Sequence, residues 1–343
     1  MLGIDEVVPS PHVFGYRNKI QAPLGTVDGK IVAGCFAEGT HRVVPFPEGG
    51  CAMYDKTMLR LLDVFLAFAR AQGLTCYDES AHKGLLRHFV ARRVGGAYAV
   101  VIVINGAKLS YADRLIAAFQ SEKVKFSLFV CSNTARTNVV LHGRMTRLWG
   151  EESTPCEVLG VKARVSPLSF AQVNDEVRDL IYSAAAGRAA ALEGATVIDA
   201  YSGTGVLTNV LARHASRVVG IEIVPEAVAD ADALTAANGN EGKVRNVCGD
   251  CAEVLPREVA ALAERNTPSV VVLDPPRKGC DKKVVDALLS AVPDEIVYIS
   301  CNPATLARDV ALLSQKYDIS SVTPYDMFPQ TKHVETLVCL ERK

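Results

Sequence analysis

The spacing of hydrophobic positions changes near residue 165. Before that point, β-branched and aromatic runs at 30–34, 86–94, 99–104 and 125–130 read as strands, and segments near 53–72 and 110–121 space their apolar residues as amphipathic helices do. That order predicts an α+β unit. From Asn174 onward, short apolar strands alternate with helices, the pattern of a doubly wound parallel sheet. Pro167, flanked by Ser166 and Ser169, suits a junction. Residues 1–165 are therefore expected to form a smaller α+β domain and 166–343 an α/β domain. No repeat or low-complexity stretch interrupts either part.

Composition narrows the class. The chain has 343 residues, of which 49% are hydrophobic and 22% charged, with a net charge of −1, as in a water-soluble globular protein. No basic-then-apolar leader opens the sequence, and no run approaches the roughly twenty apolar residues of a membrane span. A cytoplasmic location is expected, with no membrane partner, and the ten cysteines are expected to be reduced. Cys248 and Cys251 have Cys-x-x-Cys spacing but lack a second pair, so no metal site is expected. The near-neutral total hides an asymmetry. Through Arg164 there are 20 Lys and Arg against 14 Asp and Glu, whereas the remainder has 17 against 24. The basic part interleaves Arg17, Lys19, Arg87, Arg92, Arg93, Arg136, Arg144 and Arg147 with Phe14, Tyr16, Phe89 and Trp149, a composition suited to a phosphate backbone and stacked bases.

The candidate chemistry lies near the C-terminus. Glu295-Ile296-Val297-Tyr298-Ile299 reads as a buried strand, and Leu306, Val310 and Leu313 mark a following helix. Cys301 stands at the junction. Asn302 is a favoured N-cap and Pro303 suits the first turn, so the cysteine is expected beside the positive end of a helix dipole, which favours thiolate. Glu335, in His333-Val334-Glu335, offers a carboxylate as proton acceptor.

The α/β part opens with a strand running into Tyr201-Ser202-Gly203-Thr204-Gly205, a turn whose glycines let backbone approach a ligand at the carboxyl end of a sheet strand. A dinucleotide fingerprint would need a glycine at Thr208. Glu222 ends the next predicted strand, about where an acid accepts hydrogen bonds from ribose hydroxyls, and Asp250 is placed to meet an adenine amino group. Glycine turn, ribose acid and later acid in this order point to S-adenosylmethionine. Asp274-Pro275-Pro276-Arg277 then follows an apolar strand, and two prolines stiffen it. Amino-group methylases place an aromatic residue after a comparable Pro-Pro, whereas this chain has Arg277.

These motifs, together with Phe14-Gly15-Tyr16-Arg17-Asn18-Lys19 and Ser169-Phe170-Ala171-Gln172-Val173-Asn174, resemble the RNA uracil-C5 (5-methyluridine) methyltransferase family along nearly the whole chain. The resemblance implies a Rossmann-like S-adenosylmethionine-dependent methyltransferase domain preceded by an RNA-binding domain. It implies Cys301 as nucleophile toward uracil C6 and Glu335 as the base that removes the C5 proton. Gln172, Tyr201, Gly203, Glu222, Asp250 and Asp274 would surround the cofactor, and Phe170, Asp274 and Arg277 the uracil. Larger members carry a β-barrel and an iron–sulfur cysteine cluster ahead of the Phe14 region; with thirteen residues before Phe14, neither is expected here. The segment from Phe328 to Glu335 is more similar to the ribosomal-RNA branch than to the transfer-RNA branch, so 23S rRNA is the expected partner, with a monomer as the acting form and no DNA substrate. The DNA cytosine-C5 methylases place their Pro-Cys nucleophile upstream of this order. The alternatives are a tRNA uridine-C5 methyltransferase and a non-catalytic RNA-binding factor on the same scaffold.

Overall fold

The computed structural model describes residues 3–169, 171–265 and 267–343. The chain divides into two compact units, one of His12–Cys156 with Arg164–Val173, the other of Met1–Pro11, Glu157–Ala163 and Asn174–Lys343. A single cut after residue 165 does not describe this division. The N-terminal stretch belongs with the C-terminal half because its backbone pairs there: Asp5 and Val8 donate N–H bonds to Val322 and Pro324, and Asp326 donates to Val8.

In the first unit the elements are β1 (Lys19–Val27), β2 (Lys30–Phe36), β3 (Val43–Pro45), α1 (Lys56–Ala71), β4 (Leu86–Val94), β5 (Ala97–Ile104), α2 (Ala112–Gln120), β6 (Phe126–Ser132) and β7 (Arg144–Trp149). They form a sheet in the order β3-β2-β1-β4-β5-β6-β7. Only the β5–β6 pair is parallel, crossing through α2; the other ladders are antiparallel. Alternate side chains, including Ile20, Ala22 and Leu24 of β1, Phe89 and Ala91 of β4, and Val100 and Ile102 of β5, pack on Met58, Leu61 and Phe65 of α1 and Leu115 and Phe119 of α2, as the two-residue period of a strand requires. The sequence pattern missed β1, β3 and β7. In β1 the missed signal is Pro23, which falls where the strand changes neighbour: residues 19–23 pair with β4 and 24–27 with β2. A short hairpin, β8 (Thr154–Val158) and β9 (Val161–Val165), follows.

The second unit contains α3 (Asp175–Ala191), β10 (Thr196–Ala200), α4 (Val206–Leu211), β11 (Arg217–Glu222), α5 (Pro225–Ala237), β12 (Val244–Cys248), α6 (Cys251–Ala263), β13 (Ser269–Leu273), α7 (Lys282–Ala291), β14 (Glu295–Ser300), α8 (Pro303–Leu313), β15 (Tyr317–Tyr325) and β16 (Glu335–Arg342). Its sheet runs β12-β11-β10-β13-β14-β16-β15. The first five strands are parallel, and β16 enters antiparallel beside β14 and carries β15 antiparallel on its other side. Every residue of β10 and β13 is buried, as expected of strands covered on both faces. One core joins Ile198, Val219, Val271 and Ile296 to Leu255, Val284, Leu288, Leu306 and Val310 of α6, α7 and α8. Strand order reverses between β10 and β13, which opens a crevice beyond their carboxyl ends.

The turn leaving β10 fixes that crevice's floor. Gly205 has φ of 79°, and a Cβ placed on it would lie 2.8 Å from Ala231 Cβ of α5. Gly205→Ala is expected to cost roughly 1–3 kcal/mol through both positive φ and overpacking. Urea unfolding of the variant at wild-type midpoint would refute this account.

Candidate active site

The catalytic candidates collect along one edge of the second unit's sheet because each follows the carboxyl end of a parallel strand or opens the antiparallel one. Tyr201 leaves β10 with φ of 69°, and Gly203 has φ of 54°. A Cβ on Gly203 would meet nothing within 4 Å, so the space beside the turn is open. Glu222, the last residue of β11, holds this turn: one carboxylate oxygen accepts from Gly203 N–H at 3.0 Å and the other from Val224 N–H at 2.9 Å. Asp250 follows β12 as the exposed N-cap of α6 and accepts from Ala252 N–H at 2.9 Å. Two carboxylates at successive strand ends, beside an unobstructed glycine turn, fit the hydroxyl and amine donors of an adenosine group.

On the other side of the crevice stand Asp274, Cys301 and Glu335. Ladder register brings the last two together. Ser300 pairs with Thr336 as the last step of the β14–β16 ladder, so Cys301 and Glu335 flank the same pair, and Glu335 acts electrostatically on the thiol. Glu335 is 3% exposed. Burial first, then the neighbouring Asp274, pushes its carboxyl up to about 8, while Arg277 opposes the shift. Burial also holds Asp274 at about 6. Asp199 of β10, beneath them, is raised to about 7 by burial although Thr208 Oγ1 donates to it at 2.6 Å. Desolvation raises all three carboxyl groups, and Glu335 alone is carried past neutral pH.

Cys301 sits at the strand–helix junction, and Asn302 caps α8 by accepting from Ala304 N–H at 3.1 Å, with Pro303 in the first turn. The expected drift toward thiolate is not what this environment produces. Burial raises the Cys301 thiol, Glu335 raises it further, and Arg277 is the main opposing influence. Helix-end polarity is outweighed by desolvation and by carboxylates the local sequence does not reveal.

The loop carrying Asp274 and Arg277 is strapped to α8. Arg277 O accepts from Asn302 Nδ2 at 3.1 Å and from Thr305 Oγ1 at 3.3 Å, and Arg308 donates to the carbonyls of Lys278 and Cys280. Beneath them, Asp309 is 1% exposed and its Oδ2 accepts from Cys280 N–H at 2.9 Å and Tyr298 hydroxyl at 2.8 Å. The sequence reading missed Asp309, since an acid within a helix carries no signal that it binds a loop thirty residues upstream. It also missed Tyr182 of α3, whose phenol is raised by burial and by Asp274.

Gln172 belongs to the first unit, where its carbonyl accepts from Asn18 Nδ2 at 2.9 Å, and Phe170 lies outside the described residues. Cys248 and Cys251 are free thiols, and no group of three or more candidate metal ligands occurs among the described residues.

A family model described as tRNA (uracil-5-)-methyltransferase matches residues 109–343. An uncharacterized RNA methyltransferase of Halalkalibacterium halodurans is 38% identical over 96% of this chain and 71% of its own length. Another, from Clostridium tetani, is 34% identical over 98% of this chain and 73% of its own. Among solved structures, the tRNA (uracil-54, C5)-methyltransferase of Pyrococcus abyssi, in complex with S-adenosyl-L-homocysteine, superposes with a TM-score of 0.78 at 27% identity, covering 98% of this chain and 78% of that one.

Two outcomes follow from the electrostatics. Arg277→Gln should shift the pH profile of Cys301 alkylation, followed by peptide mass mapping, to higher pH; an unchanged profile would remove Arg277 from the thiol's environment. Because the Glu335 carboxyl is raised in the fold from 4.5 to about 8, its contribution to stability is complete below the unfolded value and is lost as pH rises through about 8. Glu335→Gln should therefore gain stability relative to wild type between pH 5 and 8, on the order of a few kcal/mol. A pH-independent gap between their melting temperatures would contradict this.

Proposed function

The chain belongs to the tRNA (uracil-5-)-methyltransferase family and is an S-adenosylmethionine-dependent RNA methyltransferase, and on that premise we propose that it methylates C5 of a uridine in 23S rRNA through a covalent Cys301 adduct. The observation that carries the mechanism is the β14–β16 register, whose last pair, Ser300 and Thr336, is flanked by Cys301 and Glu335. Tyr201, the turn at Gly203, Glu222 and Asp250 would hold the adenosyl group. When bound, S-adenosylmethionine supplies an electrophilic methyl group.

Carbon 5 of uracil is too weak a nucleophile until its ring is activated. The Cys301 thiol releases its proton to water, with Arg277 favouring the thiolate, and its sulfur bonds to carbon 6 while the 5,6 double-bond electrons move toward carbon 5 and O4. Carbon 5 would then accept the methyl group that S-adenosylmethionine supplies, the methyl–sulfur bond breaking, with its electron pair left on sulfur, as the new carbon–carbon bond forms. Glu335, as carboxylate, takes the remaining carbon 5 proton; those C–H electrons restore the double bond and the sulfur leaves carbon 6. A buried carboxyl is suited to this step because its raised pKa makes it the stronger base once ionised. The uridine must be unstacked for the sulfur to reach carbon 6.

One support bears on the RNA target. The segment from Phe328 to Glu335 is similar to the ribosomal-RNA branch, whereas the solved relative from Pyrococcus abyssi acts on tRNA. The test uses 23S and tRNA transcripts carrying 5-fluorouridine, whose carbon 5 has no proton to surrender. Wild type should form a denaturation-resistant adduct with 23S RNA and Cys301→Ser none. With ordinary uridine, Glu335→Gln should accumulate the adduct and cut turnover at least a hundredfold. Adduct formation by Cys301→Ser would overturn the nucleophile, and adducts confined to tRNA would overturn the target alone.

A further inference from the structure

The first unit contains a cavity of about 400 Å³ that the methyl-transfer chemistry does not use, lined by Gln21, Pro23, Cys35, Phe36, His41, Glu79, Arg87, His88, Thr137, Asn138 and Val140. It lies on the face of the sheet away from the helices. Ile20, Ala22 and Phe89 point into the helical core, so Gln21, Pro23 and His88, at alternate positions, point the other way; Pro23 and His88 are paired across β1 and β4.

One wall is built by Arg87. It is 5% exposed, its guanidinium lies 4.5 Å from the centre of the Tyr77 ring, and it donates to the carbonyls of Asn133, Ala135 and Thr137 at 2.7, 2.8 and 3.2 Å. Asn133 Nδ2 in turn donates to the carbonyls of Val139 and Val140. These bonds hold the 133–140 loop in place and commit the arginine to it, so it offers no free charge to an anion.

What remains facing the cavity is aromatic and polar, with Glu79 as its one acid. Phe36, 40% exposed, is stacked with His41 at 5.2 Å and meets His88 edge-on at 6.1 Å. His88 Nδ1 is buried with no hydrogen-bond partner among the described residues. Burial, with Arg87 beside it, lowers this imidazole to about 4, so it is neutral at physiological pH. Glu79, bonded to His41, is an acceptor at the mouth. Exposed Arg42 and Arg136 adjoin lining residues in the chain, in a part of the sequence with an excess of basic residues.

A carboxylate at the mouth and a spent guanidinium disfavour a phosphate inside. A π surface, an unpaired ring nitrogen and a hydrogen-bond acceptor suit a neutral planar heterocycle. We propose that this cavity is a subsite for one unpaired nucleobase bearing an exocyclic amino group, supplied by the RNA and separate from the reacting uracil. The base stacks against the Phe36–His41 pair, donates its amino hydrogens to Glu79 and bonds a ring nitrogen to His88 Nδ1, while Arg42 and Arg136 serve the adjoining phosphates. This rests on the reading of the chain as an RNA enzyme and not on the Cys301 mechanism.

The test is fluorescence anisotropy on the full chain with labelled single-stranded oligoadenylate and oligouridylate at fixed salt. Oligoadenylate should bind the more tightly. Phe36→Ala should weaken it about tenfold, the order of one lost base stack, and Glu79→Gln should erase the preference over oligouridylate. No preference in wild type, or a preference that survives both variants, would overturn the subsite. Free adenosine binding as tightly as the oligomer would overturn RNA as the source of the base. Because the assay involves no methyl transfer, its failure leaves the fluorouridine adduct intact, and a missing adduct leaves the base preference intact.

Discussion

The active edge depends on one strand running the wrong way. β16 enters a parallel sheet antiparallel to β14, and the register that matches Ser300 to Thr336 leaves the residue after β14 and the residue that opens β16 flanking that pair. A shift of one residue would send every β16 side chain to the other face, exchanging Leu337 and Cys339 with Val338 and Leu340 in two differently shaped buried surroundings. The hydrophobic fit of β16 therefore sets the relation of thiol to carboxyl. β15 covers the far side of β16, and the N-terminal stretch covers β15 in turn, so the strand that sets the site is not an exposed edge.

That rigidity is matched by electrostatic discomfort. Asp199, Asp274 and Glu335 are buried close enough to influence one another, with Tyr182 among them. Burial of charge is expensive, and the cost shows in the raised pKa of all three carboxyl groups, of which Glu335 is the one held protonated at neutral pH. The strapped loop explains why such an arrangement persists. Asp309, fully buried and shared between Cys280 N–H and the Tyr298 hydroxyl, ties the loop after β13 to α8. It fixes the backbone that bears Asp274 and Arg277 without requiring either to form an ion pair.

Much of this was legible from local pattern, and the remainder was hidden for physical reasons. β14, the Asn302 cap and Pro303 were visible because strand periodicity and cap chemistry are encoded within a few residues. Tyr201, Gly203, Glu222 and Asp250 were visible for the same reason, each lying at or just beyond the end of an apolar strand. The state of the Cys301 thiol was not, because it depends on Glu335, Arg277 and Asp274, which are remote in sequence. The expectation from the helix end had the wrong sign. β1 escaped because its proline sits where the strand changes partners, and the role of residues 3–11 escaped because backbone pairing to a strand three hundred residues away leaves no periodic trace.

Arg277 connects these points. An aromatic residue in its place would offer a stacking surface for a base. A guanidinium instead acts on charge, and it lowers the pKa of both Cys301 and Glu335. The proposed reaction needs two anions at different stages, a thiolate before the carbon–sulfur bond forms and a carboxylate once that sulfur is tied up in the adduct. Two fixed anions side by side in a desolvated edge would repel each other strongly. One cation serving each in turn, on a loop held by its own carbonyl rather than by its side chain, lets the same site supply both.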